Sequence, residues 1–312
     1  MSSTLRIVFM GTPDFATASL KQLVENGFNV VGVVTAADKP SGRGQKLSQS
    51  SVKKYALENK LKILQPTNLK DPEFIQQLRL LKADLQVVVA FRMLPELVWK
   101  MPHKGTFNLH ASLLPKYRGA APINWAIING EKESGVTTFF IEQEIDTGKI
   151  ILQKRIDISP EENAGSLHDR LMTIGSELVC QTVNTISANN LSSKVQQGNS
   201  CQAPKIFKED CRIDWSNSLT MIHNKIRGLS PYPAAWSNID ENRLIKIFDS
   251  SIHEAQHNFP VGKLISEHKN ELKVAVKFGF ILIHELQLSG KKRMKTDDFL
   301  RGFKLDKEVI LH

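Results

Sequence analysis

The chain has 312 residues, of which 41% are hydrophobic and 23% charged, and carries a formal net charge of +9. That length exceeds what one hydrophobic core usually organises, so two domains are expected, with the composition of an ordinary soluble globular protein. No run of about 18 apolar residues occurs, which excludes a membrane-spanning helix.

The opening MSSTLRIVFMGTPD has too short an apolar run for a signal peptide. Cys180, Cys201 and Cys211 form no C-x-x-C pair and no disulfide framework, so a cytoplasmic protein is expected. The positive charge is concentrated. Residues 38–62 hold seven basic side chains, Arg43 and Lys46 among them, against Asp38 and Glu58, a net of +5. Lys291, Lys292, Arg293 and Lys295 contribute the other +4. An excess held in two segments points to a polyanionic partner, although two solvated loops account for it equally well.

In chain order, residues 6–10 read as an apolar strand, turned by Gly11-Thr12-Pro13 into a helix that starts near Asp14, which is placed to cap it. The lone glycine falls short of the G-x-G-x-x-G of a dinucleotide site. Residues 28–34 form a second buried strand. Residues 36–50, AADKPSGRGQKLSQS, put Arg43 between two glycines in a loop expected to be disordered until a partner orders it. A strand at Ile63, a helix over 74–81 and a strand over 85–90 continue the alternation. That rhythm predicts a parallel sheet with helices on both faces.

After a helical pattern over 95–100, residues 105–110 run extended and break into the loop SLLPKYRGAAP. Asn108 and His110 are two apart on that strand and therefore share a face. At the C-terminal edge of an open α/β sheet that face looks into the crevice where ligands bind. An Asn and a His there could hold an oxyanion and manage a proton, or simply anchor the loop. A helix over 123–128, strands over 135–141 and 150–158, the turn Asp146-Thr147-Gly148 and a helix over 163–186 complete the first domain.

Residues 189–204, rich in Ser, Asn and Gln, read as a linker between domains 1–188 and 205–312. The second domain has a helix over 219–227 and short strands over 244–248, 261–265, 272–276 and 280–286, which suggests a small β-barrel. His253-Glu254-Ala255-Gln256-His257 matches H-E-x-x-H, but its polar flanks between short strands argue against a zinc site.

The string NLHASLLPKYRGAAP, followed by Asp146-Thr147-Gly148, resembles the signature of the folate-dependent formyltransferases. FMGTPDFA, SGRGQKL, RIDW and LSPYPAAW extend the resemblance over both halves of the chain. It implies a Rossmann-like parallel-sheet formyltransferase domain followed by an OB-like barrel that holds tRNA. It further implies formyl transfer from 10-formyltetrahydrofolate, used as a co-substrate without a metal, to the α-amine of methionine on initiator tRNA. Asn108, His110 and Asp146 would carry the chemistry, and Ser112, Leu113, Leu114 and Pro115 would line the folate site. Arg43, Lys46, Lys291, Lys292 and Arg293 would hold tRNA, and a monomer is expected. A relative formylating a small amine, such as glycinamide ribonucleotide or an amino-sugar nucleotide, would keep the same trio. Phe91-Arg92-Met93 departs from the glycine-containing loop found in many relatives.

Overall fold

The computed structural model describes residues 5–41, 46–241, 243–266, 270–302 and 309–312. It divides into two compact units. The first comprises the chain up to Gly119, Ser134–Ile156 and His168–Gln202; the second comprises Ala120–Glu133, Asp157–Leu167 and the chain from Ala203 onward. Two stretches of the expected first domain, Ala120–Glu133 and Asp157–Leu167, group with the second unit. The helix Pro122–Ile128 belongs to the second unit, where Asn124 Nδ2 donates to the Gly228 carbonyl at 2.8 Å. Most of the expected linker, up to Gln202, belongs to the first.

The first unit is built on a seven-stranded sheet in the order Ile150–Asp157, Glu133–Phe140, Thr106–His110, Leu85–Val89, Ile7–Gly11, Val30–Val34 and Ile63–Leu64. The last five strands run parallel, and Glu133–Phe140 is antiparallel to Thr106–His110. Ile7–Gly11 and Leu85–Val89 are buried at every position, as strands covered on both faces must be. The chain fills one side of Ile7–Gly11 and then returns to fill the other, so a crevice opens at the carboxyl ends of the strands.

Gly11 is required where the first strand turns into the helix Asp14–Glu25: a Cβ there would lie 2.5 Å from Ala16 Cβ and 2.9 Å from the Val89 carbonyl. Asp14 does not cap this helix. Pro13 occupies the cap position, and Asp14 lies inside the first turn, where its charge still favours the helix dipole.

Within residues 36–50, expected to be disordered, Lys39–Ser41 pairs antiparallel with Lys46–Ser48. Residues 42–45, Arg43 among them, lie outside the described residues, as does the side chain of Lys46.

In the second unit five strands pair antiparallel in the order Ala235–Asn238, Leu244–Glu254, Gly279–Leu288, Lys273–Val276 and Leu264–Ile265, with Met294–Lys295 added beside Gly279–Leu288. The final residues join the two ends of this row. Leu264 N donates to the Val309 carbonyl at 3.0 Å and Leu311 N to the Gly262 carbonyl at 2.8 Å. Asn238 and His312 exchange backbone bonds of 2.9 and 3.0 Å. A barrel is thereby closed, and no open edge remains between its first and last strands. Its core gathers Ile245, Ile247, Val274, Ile281, Ile283 and Leu286 under Leu219, Ile222 and Ile226 of the helix Leu219–Leu229. No helix among the described residues is long and apolar enough to cross a membrane.

Candidate active site

Thr106–His110 sets the site because its alternation puts Leu109 into the core and turns Asn108 and His110 the other way. His110 is 6% exposed and Asn108 half-buried. The Asn108 side-chain amide makes no hydrogen bond within the described residues, so its donors are available to a ligand. Asp146 enters from the loop after Glu133–Phe140, and its Oδ2 lies 3.7 Å from His110 Nδ1. Among the residues expected to carry chemistry, Asn108 and His110 therefore share one strand face and Asp146 stands beside the imidazole.

Two backbone groups fix the orientation of this pair. His110 Nε2 lies 2.7 Å from the Tyr117 carbonyl. A carbonyl only accepts, so Nε2 carries the hydrogen, and in the neutral ring Nδ1 keeps its lone pair. That lone pair faces Asp146. The carboxylate in turn accepts from Gly119 N at 2.9 Å through Oδ2. The arrangement is a base whose protonated form is met by a fixed negative charge, the logic by which a buried carboxylate supports an imidazolium.

Asp146 has a φ of 56°, the left-handed region disfavoured for side chains bearing a Cβ. Gly148 lets this turn fold tightly, since a Cβ on it would lie 1.7 Å from the Phe140 carbonyl oxygen.

Ser112, Leu113, Leu114 and Pro115 form the loop beside the strand end, but their side chains largely face the protein. Ser112 Oγ donates to the Lys116 carbonyl at 2.6 Å, and Thr137 Oγ1 donates to the Ser112 carbonyl at 2.6 Å. Leu114 is buried, and its carbonyl accepts from Gln153 Nε2 at 2.9 Å. Leu113 lies against Gly135. These residues give the loop its shape through hydrogen bonds that sequence alone does not reveal.

A cleft of about 990 Å³ opens in the same unit between residues 67–70 and 92–97. It follows the carboxyl end of Leu85–Val89, the strand paired with Thr106–His110. Arg92 spans it by donating to the Thr67 carbonyl at 2.7 Å and to that of Pro66. Of the departure at Phe91-Arg92-Met93, Arg92 and Met93 thus line this cleft, with the Met93 side chain exposed.

The basic residues are less uniform than their number suggests. Lys53, counted in the first cluster, is ion-paired with Asp38 at 2.6 Å and is only 15% exposed. Lys39, Lys54, Lys60 and Lys62 are exposed. Lys291 and Lys292 are also exposed, whereas Arg293 pairs with Glu285 and lies 4.3 Å over the Phe248 ring.

In the H-E-x-x-H stretch, His253 lies on the strand Leu244–Glu254, and His257 Nε2 is 2.9 Å from both the Val276 and Gly279 carbonyls. Among the described residues no group of three or more His, Cys, Asp or Glu side chains is arranged to hold a metal ion.

Sequence reasoning missed Gln196, which sits in the expected linker and bonds the turn that carries Asp146. A single glutamine in a polar stretch gives no signal of that contact.

Residues 5–183 match the family model described as formyl transferase, and residues 205–304 match the formyl transferase C-terminal domain. The methionyl-tRNA formyltransferase of Bacteroides thetaiotaomicron is 57% identical over 311 residues, covering 96% of each chain. That of Flavobacterium johnsoniae is 56% identical over 313 residues, covering 99% of each. Among solved structures, HypX from Aquifex aeolicus in complex with tetrahydrofolic acid superposes with a TM-score of 0.67 at 18% identity. The match covers 97% of this chain and 49% of HypX, a likeness of fold. A parallel sheet with an Asn, a His and an Asp gathered at its carboxyl edge, an antiparallel barrel behind it in sequence, and matches spanning both: the chain belongs to the formyl transferase family.

Proposed function

We infer that this chain transfers a formyl group from 10-formyltetrahydrofolate to the α-amine of methionine esterified to initiator tRNA, the step that prepares the first aminoacyl-tRNA for translation. What carries the choice of acceptor is the close likeness, along nearly the whole chain, to proteins that bear that activity in their names.

In the reaction the amine nitrogen attacks the formyl carbon, and the carbonyl pair moves onto oxygen. The Asn108 amide, which makes no hydrogen bond within the described residues, donates to that oxygen as its charge develops; losing such a donor typically costs on the order of 10²–10³ in turnover. The attacking nitrogen becomes an ammonium and must lose a proton. His110 Nδ1 takes it, and the imidazolium is stabilised by Asp146 at 3.7 Å. The tetrahedral adduct then collapses, the bond from carbon to N10 of the folate breaks, and the proton on Nδ1 passes to that nitrogen. Tetrahydrofolate and the formylated amine leave, with atoms and charge balanced.

Of the two parts open to His110 beside Asn108, holding the oxygen and managing the proton, its anchoring favours the second. Because Nε2 is tied to the Tyr117 carbonyl, the ring works through Nδ1 as a proton carrier rather than as an oxygen holder. The cleft between residues 67–70 and 92–97 suits the aromatic and glutamate portion of the folate, with apolar walls and Lys70 on its rim. Exposed Lys39, Lys54, Lys60 and Lys62 in one unit, and Lys291 and Lys292 in the other, supply cations for tRNA phosphates.

The test is an acceptor comparison. Purified chain and 10-formyltetrahydrofolate are given charged initiator tRNA, glycinamide ribonucleotide or an amino-sugar nucleotide, and formyl product is measured. Formylation of the charged tRNA alone supports the reading. Transfer to a small amine with the tRNA left untouched overturns it.

A further inference from the structure

The stretch that follows the long helix Ala164–Ser187 is a strap tied to the segments that carry and orient the reacting pair. It is anchored at one end by Lys194, whose N–H and carbonyl exchange 2.8 Å bonds with Ile150. At the other end the Cys201 carbonyl accepts from Arg118 N at 3.1 Å, and Cys201 Sγ accepts from Tyr117 N at 3.3 Å. Between these anchors lies Gln196, with every strong hydrogen-bonding group of its side chain engaged. Its Nε2 donates to the Asp146 carbonyl at 2.8 Å and to the Gly148 carbonyl at 2.9 Å. Its Oε1 accepts from Arg118 Nη2 at 2.7 Å and Nε at 3.2 Å.

What the strap holds is what the chemistry needs held. Asp146 and Tyr117 both adopt left-handed backbone conformations, with φ of 56° and 60°, which residues bearing a Cβ keep only when their surroundings impose them. The Asp146 carboxylate meets His110 Nδ1, and the Tyr117 carbonyl fixes His110 Nε2. Gln196 ties down the first of these residues and Cys201 the second. Arg118 connects them, because the residue after it, Gly119, gives its N–H to the Asp146 carboxylate.

We propose that Gln196 is a positioning residue for formyl transfer: braced by Arg118, it holds the Asp146 turn so that the carboxylate stays against His110 Nδ1. Gln196 touches no reacting atom and acts only through Asp146. The proposal rests on the roles given to His110 and Asp146 above.

The experiment is a mutant cycle on the full chain. Single-turnover formylation of charged initiator tRNA, with enzyme in excess so that slow rates are readable, is measured for Gln196→Ala, Asp146→Asn and the double variant, with steady-state kcat and KM alongside. Gln196→Ala is expected to lose about 10- to 100-fold in kcat, the range over which a small misplacement acts, with KM for both substrates within about threefold. In the Asp146→Asn background the same change should cost nothing further, because residues that act as one unit are not additive. Gln196→Glu, nearly the same shape, loses the two donors and should fall as far as Gln196→Ala; it also serves if the alanine variant does not fold.

Wild-type kcat in both Gln196 variants overturns the proposal, and so do losses that add to that of Asp146→Asn. Normal turnover in Asp146→Asn itself overturns instead the reading on which the proposal rests. Loss in Asp146→Asn with none in the Gln196 variants leaves that reading standing and removes only the strap.

Discussion

Gly148→Ala puts one methyl group where the structure has no space for it. The added Cβ would lie 1.7 Å from the Phe140 carbonyl oxygen, whereas ordinary contact begins at 3.4 Å. That oxygen belongs to backbone in the sheet, so the turn rather than the strand must give way, by roughly 1.7 Å to reach ordinary contact, in an interior packed to crystal-like density. Asp146 is two residues away on the same turn and moves with it, leaving its 3.7 Å approach to His110 Nδ1. A displacement of about 1 Å at a reacting group can cost on the order of 100-fold in rate. The assay is steady-state formylation of charged initiator tRNA at saturating 10-formyltetrahydrofolate, with thermal unfolding followed in parallel. A kcat lowered by about that factor, with KM for tRNA little changed, is the expected outcome. A folded variant with kcat within twofold of wild type would refute the claim that the turn's shape sets the site.

Three further outcomes follow from the structure. Burial of His223 holds its imidazole below the usual histidine range, an effect only partly opposed by Glu161 and reinforced by Arg227. The unfolded chain therefore binds that proton more readily, so stability should fall as pH drops through about 6.5, and His223→Gln should flatten that part of the profile in urea unfolding at pH 5 to 8. Leu311, 2% exposed in the segment that closes the barrel, should cost about 2–5 kcal/mol when replaced by Ala, read as a lowered unfolding midpoint. Replacing exposed Lys291 and Lys292 together by Ala should reduce the slope of log affinity for tRNA against log salt by up to about 2, read from binding titrations at several salt concentrations.

The elements legible in the sequence are those whose apolar runs can form only one thing. The strands Ile7–Gly11, Val30–Val34 and Leu85–Val89 are buried segments separated by helical patterns, and Asn108 and His110 stand two apart where their strand ends. What stayed hidden depends on partners far along the chain. His312 pairs with Asn238, and Leu311 with Gly262; nothing local in Ile310-Leu311-His312 marks a strand that closes a barrel.

Gln196 looks like linker because its partners, Asp146, Gly148 and Arg118, lie from 48 to 78 residues away. Charge counting is blind to pairing for a related reason. Lys53 and Arg293 add to the totals, but each is paired with a carboxylate that only the fold brings to it. Pro13 took the cap position that Asp14 was expected to fill, a one-residue difference that composition cannot resolve.

The central claim is that formyl transfer runs through Nδ1 of His110, oriented by the Tyr117 carbonyl and supported by Asp146. Its most direct test is single-turnover formylation of charged initiator tRNA by His110→Ala, with the affinity for 10-formyltetrahydrofolate measured on the same preparation. The account predicts a rate lowered by at least about 100-fold, as for loss of a general base, with folate affinity close to that of the unaltered chain. A near-normal rate, or a loss explained entirely by weakened folate binding, would contradict it.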